Sequence, residues 1–186
     1  MAGQNLICSL RGGGVSANSP VQSSEFATSA LDRLRILSRY RTIAMVGLSA
    51  NPYRPSYFAA LYMLAEGYNV IPVNPGAKEI AGRRCYASLK DIPEAVEIVD
   101  IFRPPAAVPA IVEEAIEIGA KVIWMQLEVI HYDAARRARE AGLEVVMDHC
   151  VKMEHGRFFG GLHALGLNTG VISARWWDPK AGRKER

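Results

Sequence analysis

The feature that most constrains the fold is an alternation of short apolar runs with helical stretches that end in glycine. The apolar runs, which we predict to be strands, are residues 42–46, 69–73, 97–101, 121–125 and 143–147. The helical stretches, at 57–66, 106–118 and 132–141, are followed by Gly67, Gly119 and Gly142, and glycine tolerates the left-handed conformation that ends a helix. Strands that alternate with helices need crossover connections, which produce a parallel sheet covered on both faces. The sequence therefore predicts an α/β fold, a single domain with a doubly wound, Rossmann-type parallel five-stranded sheet in the order 3-2-1-4-5.

Shifts in composition divide the chain into three parts. Residues 1–23, rich in Gly, Ser, Asn and Gln, are predicted to be a flexible leader, residues 24–174 the Rossmann-type domain, and residues 175–186 a basic tail. A helix is predicted from Glu25 to Tyr40, capped by Ser24 or Ser29. After Met147 the sequence becomes irregular and rich in glycine, and we expect this segment to pack over the sheet.

Charge and composition exclude several classes of partner. The formal net charge is +3, but much of the excess lies at the end, in Lys180, Arg183, Lys184 and Arg186. The body has no stripe of Lys and Arg with interleaved aromatic residues, so we expect no nucleic-acid partner. No apolar run approaches the ~20 residues that span a bilayer, so we expect no membrane partner. Three widely spaced cysteines favour a reducing, cytoplasmic location over a disulfide framework.

The loop after the first strand has the residue types of a phosphate site. In a doubly wound sheet, ligands bind at the carboxyl ends of the strands, near the reversal of strand order. A glycine there permits close approach of the backbone, helix N-terminal N–H groups bind anions, and an arginine adds a charge with fork geometry. The predicted ligand-binding residues of this loop are Gly47, Leu48, Ser49, Asn51, Arg54, Pro55 and Ser56. An ordinary turn rich in proline and serine is the alternative.

The loop after the second strand distinguishes between cofactors. NAD-binding folds usually place an acidic residue here for the ribose hydroxyls, and their first loop carries G-x-G-x-x-G. This chain has no carboxylate before Glu79, and Gly47 stands alone in the first loop. Lys78 suits a phosphorylated ribose, either the 3′-phosphate of coenzyme A or the 2′-phosphate of NADP, unless it is simply a solvated loop lysine. The predicted binding residues here are Val73, Asn74, Pro75 and Lys78.

Two further loops complete the candidate site. After the third strand, Phe102 can flank an adenine, Arg103 can meet a phosphate, and Pro104 helps to stiffen the loop. The alternative for the prolines is that they start the following helix, whose first turn favours proline. After the fourth strand, Gln126 can hydrogen-bond a polar ligand group, or it is an ordinary surface residue.

Several motifs in a fixed order give the chain a specific resemblance. They are Gly47-Leu-Ser-Ala-Asn-Pro-Tyr-Arg-Pro-Ser56, Ile71-Pro-Val-Asn-Pro75, Gly82-Arg-Arg-Cys-Tyr86, Phe102-Arg-Pro104, Trp124-Met-Gln-Leu127 and Val146-Met-Asp-His-Cys150. From about Arg39 to His155 the chain resembles the small stand-alone CoA-binding proteins, which are similar in fold to the CoA-binding N-terminal domain of the succinyl-CoA synthetase alpha subunit. The resemblance implies that the first loop holds the pyrophosphate of coenzyme A. It places the adenosine and its 3′-phosphate at the second and third loops, and the pantetheine near Gln126.

The loops and the resemblance together predict a protein that binds coenzyme A or a short acyl-CoA as a non-catalytic sensor, carrier or regulatory module. The alternatives are an NADP-binding oxidoreductase-type domain and a protein-interaction module with Trp176-Trp177 as its partner surface. We identify no catalytic constellation, and the spacing of His149, Cys150, His155 and His163 matches no strong zinc template. A protein partner and the choice between monomer and homodimer stay open.

Two cysteines and one glutamate raise separate questions. Cys85 lies beside two arginines, so either its pKa is lowered and it forms a mixed disulfide with CoA, or it is a half-buried small residue. A thiol enzyme built on His149-Cys150 is disfavoured, because adjacent residues at a strand end point to opposite faces. Glu128 stands where the resembling proteins often carry glycine, and a carboxylate there can repel phosphate or narrow the pocket.

Overall fold

The computed structural model describes residues 26–160 and contains a five-stranded parallel sheet with helices on both faces. In chain order the elements are α1 (Ala30–Arg39), β1 (Thr42–Val46), α2 (Pro55–Ala65), β2 (Asn69–Val73), β3 (Glu79–Ile80), β4 (Arg83–Arg84), β5 (Ile98–Ile101), α3 (Val108–Glu117), β6 (Val122–Met125), α4 (Tyr132–Glu140), β7 (Glu144–Val146) and α5 (Val151–Phe159). Short 3₁₀ turns lie at Leu89–Asp91 and Pro105–Ala107. The predicted fold class, an α/β Rossmann-type domain with five parallel strands, is confirmed.

The strand order places the third long strand beside the first. The sheet runs β2-β1-β5-β6-β7, which differs from the predicted 3-2-1-4-5 because β5 pairs with β1 rather than with β2. The outer edge of β2 is already occupied by Tyr86, whose N–H donates to the Pro72 carbonyl at 3.0 Å and whose carbonyl accepts the Asn74 N–H at 2.8 Å. The chain therefore reverses its direction across the sheet between β1 and β5, which is where doubly wound sheets bind ligands.

A small hairpin stands between β2 and β5 where a crossover helix is usual. Strands β3 and β4 pair antiparallel, and the turn between them has positive φ at Ala81 (52°) and Gly82 (71°). Positive φ at both central residues is typical of the tight type I′ turn. The sequence did not predict this hairpin, because strands of two residues carry no periodic pattern.

The sheet separates two apolar cores. Ile43 and Met45 of β1 face α1, α2 and α5, whereas Ala44 faces α3 and α4. Every residue of β5 and β6 is buried, which explains why these strands appear in the sequence as nearly continuous apolar runs. Because helices cover both faces of the sheet, a ligand reaches the strands at their ends.

Helix α1 begins later than predicted, at Ala30, because the Ser29 side chain caps it by accepting the Asp32 N–H. The predicted start near Glu25 is therefore wrong. Ser29 was one of the two predicted caps. A side-chain oxygen at the N-cap satisfies a backbone donor that lies before the regular helical bonds.

Helix α5 occupies a segment for which the sequence predicted irregular structure. Its buried residues include Val151, Glu154 and His155. Glu154 forms an ion pair with Arg33 of α1 at 2.7 Å, with both side chains almost completely buried. The Nδ1 atom of His155 lies 3.0 Å from the Tyr62 hydroxyl of α2. The helix escaped prediction because two of these buried residues are ionisable, so the segment lacks a clear apolar stripe.

Some predicted features lie outside the described residues. These are the leader, the basic tail, His163 and the Trp176-Trp177 pair, so the predicted domain boundaries stay predictions. In the stretch 26–160 no helix is long and apolar enough to cross a membrane. Among the same residues no group of three or more His, Cys, Asp or Glu is arranged to hold a metal ion.

Candidate functional site

A cleft opens at the carboxyl ends of β1, β2 and β5, where the strand order reverses. Its volume is about 220 Å³. Its walls are Val46, Gly47, Val73, Pro75, Ala87, Arg103, Ala107, Ala110 and Ile111. We call it the switch-point cleft. The fold thus brings together the first three loops that the sequence singled out, and four of the predicted site residues line the cleft: Gly47, Val73, Pro75 and Arg103.

A larger groove of about 390 Å³ lies between α3 and α4. Glu113 and Arg137 line it, and Arg137 donates two hydrogen bonds to the Glu113 carboxylate at 2.9 and 3.1 Å. This groove lies beside the helices rather than at the strand ends, and its arginine is already paired. We therefore place the candidate site in the switch-point cleft, although that cleft is smaller.

Gly47 ends β1 with a conformation that favours glycine. Its φ is +85°, and a Cβ at this position would lie 2.6 Å from Cδ of Arg103 and 3.2 Å from the Phe102 carbonyl oxygen. The Arg103 side chain therefore packs directly against the Gly47 backbone. The absence of a side chain at Gly47 is what allows this arginine to lie in the cleft.

The remainder of the first loop is held together by its own side chains. The Ser49 N–H donates to Ser56 Oγ at 3.2 Å, the Asn51 N–H to Ser49 Oγ at 3.1 Å, and the Tyr53 N–H to Asn51 Oδ1 at 2.9 Å. These donors are satisfied inside the loop, so they are not free to surround an anion. The features of this loop that would favour an anion are the exposed N-cap residue of α2, Arg54, and the positive end of the helix dipole.

Asn74 fastens the second loop to the first. Its Nδ2 donates to the Leu48 carbonyl at 2.9 Å, and its Oδ1 accepts the Gly76 N–H at 2.9 Å. Because both ends of its amide form hydrogen bonds within the protein, Asn74 holds the two loops in shape. Leu48, another predicted site residue, has its side chain fully buried in the core. The Lys78 side chain, by contrast, is exposed.

Two other predicted residues lie at the starts of the helices that follow the loops. Pro55 is the first residue of α2, and Pro104 precedes the 3₁₀ turn before α3. Proline favours such positions because its fixed φ suits the first helical turn. This agrees with the alternative that the third loop's prolines start a helix, and both residues remain exposed.

Phe102 and Arg103 point to different sides of the sheet edge. Arg103 lines the switch-point cleft, whereas Phe102 is half-buried against the core formed with α1, α2 and α5. The structure therefore separates Phe102, which was expected to flank an adenine, from Arg103, which was expected to meet a phosphate. The apolar residues that line the cleft include Val73, Ala107 and Ile111.

Three basic side chains lie on the loops that border the cleft. Arg54, Lys78 and Arg103 are all exposed, and none forms an ion pair within the described part of the chain. They come from three loops that the topology gathers at one edge. Cations without partners favour a ligand with several negative charges.

Gln126, the predicted residue of the fourth loop, is bonded to a carboxyl group that sequence reasoning missed. Its Nε2 donates to Oδ1 of Asp100 at 2.7 Å, and both residues are buried. Burial raises the pKa of Asp100 to about 8, while the hydrogen bond from Gln126 acts in the opposite direction. The signal in the sequence was a single acidic residue inside an apolar run predicted to be a buried strand.

The two cysteines within residues 26–160 are not activated. Burial raises the pKa of Cys85 and of Cys150, and the Asp100 charge raises that of Cys150 further. The lowered pKa considered for Cys85 is therefore wrong, because desolvation outweighs its two hydrogen bonds to carbonyl oxygens. Each thiol stays protonated at neutral pH.

Glu128 is exposed and has a left-handed backbone, with φ of 65°. Its N–H donates to the Asp148 carboxylate at 2.7 Å, and Asp148 is also left-handed, with φ of 59°. This bond stabilises a conformation that glycine adopts more readily. The carboxylate of Glu128 lies at the rim of the fourth loop and not in the switch-point cleft.

A model of the CoA-binding domain matches residues 41–156. The protein belongs to the CoA-binding domain family. The resemblance to small stand-alone CoA-binding proteins is thereby confirmed. An uncharacterised protein of Bacillus subtilis, YneT, is 39% identical over 120 residues, which are 64% of this chain and 89% of that protein.

The solved relatives agree with the fold of this CoA-binding domain protein. The structure of a hypothetical protein from Pyrococcus horikoshii is 40% identical, with a TM-score of 0.71, and the match covers 78% of this chain and 100% of that chain. The ADP-forming acetate–CoA ligase II of Archaeoglobus fulgidus is 31% identical over 90 residues, which are 47% of this chain and only 13% of the ligase. The chain thus matches whole small proteins and a minor part of a ligase.

Other residues of the CoA-binding domain that line the cleft were also absent from the sequence prediction. They are Val46, Ala87, Ala107, Ala110 and Ile111. Three of them lie at the start of α3 or just before it, spaced so that they share one helix face. The sequence predicted a helix at 106–118, but the predicted strand order placed the third strand at the edge of the sheet, so this helix was not expected at the strand reversal.

Proposed function

We propose that this protein binds coenzyme A, or a short acyl-CoA, along the carboxyl edge of its sheet as a non-catalytic sensor, carrier or regulatory module. The observation that carries the proposal is a set of three exposed cations that form no ion pair with residues 26–160: Arg103 lines the switch-point cleft, and Arg54 and Lys78 lie on the loops after β1 and β2. Coenzyme A carries a pyrophosphate and a 3′-phosphate, so its charges are spread over a distance that one basic residue cannot cover. Membership of the CoA-binding domain family supports the same ligand.

The geometry suggests how the ligand lies. The cleft is too small for a whole coenzyme A, since pockets that enclose entire drug-sized ligands usually have ~300–1,000 Å³. Its apolar walls suit the adenine, with Arg103 and Arg54 near the pyrophosphate and Lys78 near the 3′-phosphate. The pantetheine arm then crosses the ends of β5 and β6 toward Gln126.

A binding role without catalysis is supported by the chemistry of the described residues. The thiols of Cys85 and Cys150 have raised pKa values, so neither is an activated nucleophile. The Asp100 carboxyl is completely buried, so it is not accessible to a bound substrate as an acid or base. The similar ligase is a far longer chain, so its activity does not transfer to this protein through the shared fold alone.

Titration calorimetry of the full chain with CoA, acetyl-CoA, NADP and NAD tests the proposal. We expect binding of CoA or acetyl-CoA, and we expect Arg54→Ala to weaken it by about tenfold, because one charge-assisted hydrogen bond to phosphate is lost. Lys121→Ala is the matched control, since Lys121 is also exposed but precedes β6 at the opposite end of the strands. Binding of NADP alone would favour the oxidoreductase-type domain, and no binding of any of the four would favour the protein-interaction module.

A further inference from the structure

Asp100 occupies a position where a strand residue is normally apolar. It lies in the central strand β5, in register with Met45 of β1 and Trp124 of β6, and it is 0% exposed. Residues in register on neighbouring strands share a face, so Asp100 faces the core that α1, α2 and α5 cover. Burial of a carboxyl group is unfavourable unless its polar atoms are compensated, and packing alone does not account for it.

The Asp100 carboxyl has one hydrogen-bond partner. Gln126 Nε2 donates to Oδ1 at 2.7 Å, whereas Oδ2 is the buried side-chain polar atom that lacks a partner among residues 26–160. Gln126 is itself only 5% exposed, and its Oε1 forms no hydrogen bond with the described residues. Asp100 therefore fixes one end of the Gln126 amide and leaves the other end available.

Asp100 is a neutral acceptor under ordinary conditions. Burial raises its pKa to about 8, so the protonated form predominates at neutral pH. With its proton on Oδ2, the carboxyl presents Oδ1 as a carbonyl-type acceptor toward Gln126. An asparagine amide presents the same kind of oxygen in the same place, which provides a conservative variant.

Building on the proposed function, we propose that Asp100 is a positioning residue for the pantetheine arm of the ligand. It orients Gln126 so that Oε1 accepts a hydrogen bond from an amide N–H of that arm. In the proposed arrangement the cations on the first three loops contact the phosphates, and the two amides are hydrogen-bonding groups that the pantetheine arm has and a plain nucleotide lacks. Asp100 is too deeply buried to touch the ligand and acts through Gln126. The pair thus distinguishes ligands that carry a pantetheine arm from plain nucleotides.

Two ligands separate this role from a general structural one. Calorimetry of the full chain is performed with CoA and with adenosine 3′,5′-bisphosphate, which has the nucleotide end but no arm. Asp100→Asn keeps the acceptor, so we expect it to bind both ligands as the wild type does. Asp100→Leu removes the acceptor, and we expect CoA to bind about three- to tenfold more weakly, the range for one neutral hydrogen bond. Binding of the bisphosphate stays unchanged.

A double-mutant cycle tests whether Asp100 acts through Gln126. Gln126→Leu should weaken CoA binding to the same extent as Asp100→Leu, and the double variant should be no weaker than either single one, because both remove the same contact. If Asp100→Leu does not fold, Asp100→Ala replaces it. Unchanged binding of the bisphosphate then shows that the nucleotide site is intact.

Four outcomes would overturn the role of Asp100. They are unchanged CoA binding by Asp100→Leu, an equal loss for CoA and the bisphosphate, additive losses in the double variant, and a loss for Asp100→Asn as large as for Asp100→Leu. Each of these outcomes applies when the wild type binds CoA. A wild type that binds neither ligand would instead overturn the proposed function, and the role of Asp100 with it.

Discussion

Individual residues at the carboxyl edge of the sheet are constrained by their immediate neighbours. Asp100 is enclosed between Met45 and Trp124, so its proton is retained well above the usual pKa of a carboxyl group. Gly47 is constrained in another way, since its backbone lies against Arg103. The sequence identified Gly47 because glycine after a strand has a known use at phosphate sites. It did not identify Asp100, because the pKa of a carboxyl depends on neighbours from other strands.

Asp100 should make the stability of the protein depend on pH. Its pKa is raised from 3.8 to about 8, so between these values the unfolded chain has released a proton that the native state still holds. Stability therefore falls as the pH rises, by about 1.4 kcal/mol per pH unit from this group, and the fall ends above pH ~8. Asp100→Asn removes the contribution, and urea unfolding between about pH 5 and about pH 7.5 compares the two slopes. Parallel curves for the two proteins would show that Asp100 is ionised in the native state.

Gly47→Ala should reduce both stability and ligand affinity. The new Cβ would be placed 2.6 Å from Arg103 Cδ at a φ of +85°, so the arginine must leave the cleft. Gly142→Ala is the matched control, because its φ is +86° and nothing lies within 4 Å of the added Cβ. We expect each variant to lose about 1 kcal/mol of stability from the positive φ, measured by denaturant unfolding. Only Gly47→Ala should bind CoA more weakly in calorimetry, and equal affinities of the two variants would remove Arg103 from the site.

At the scale of elements, the sequence predicted the helices and strands that have a local hydrophobic pattern. It missed the elements whose position depends on tertiary contacts. Strands β1 and β2 appear at their predicted bounds, because uninterrupted apolar runs identify buried parallel strands. Helix α5 has a buried face that contains Glu154 and His155, which no hydrophobic periodicity reveals. The place of β5 beside β1 and the position of Tyr86 at the outer edge of β2 are both contacts between distant parts of the chain.

Removal of the ion pair between α1 and α5 tests whether α5 unfolds together with the rest of the domain. The side chains of Arg33 and Glu154 are 7% and 4% exposed, so Glu154→Leu leaves a buried guanidinium without its carboxylate. We expect a loss of about 3–5 kcal/mol in the free energy of unfolding. The double variant Arg33→Met/Glu154→Leu should recover most of this loss, because no buried charge is left uncompensated and Arg157, the other partner of Glu154, is partly exposed. If Glu154→Leu unfolds with the stability of the wild type, α5 is detached from the rest of the domain in solution.

At the scale of the whole molecule, the topology creates the site. Arg54, Lys78 and Arg103 are far apart in the sequence, and the loops that carry them lie at one edge of the sheet because β1, β2 and β5 end there. The predicted order 3-2-1-4-5 also placed these loops at the carboxyl edge, so four of the nine residues that line the cleft were predicted although the third strand lies elsewhere. The wall contributed by α3 was not predicted, because identifying it requires knowing that the strand reversal lies between β1 and β5.

A site made of exposed cations on separate loops predicts a strong response to salt. The three side chains are exposed, so raising the ionic strength from about 0.05 M to about 0.5 M shortens the screening length and weakens attraction to the ligand's phosphates. We expect the affinity for CoA to fall steadily over this range, and Arg54→Ala to give a shallower fall because one of the screened interactions is absent. Lys121→Ala should keep the slope of the wild type, since Lys121 precedes β6 at the other end of the strands. If Arg54→Ala and the wild type show the same slope, Arg54 does not meet the ligand, and the salt dependence is left to Lys78 and Arg103.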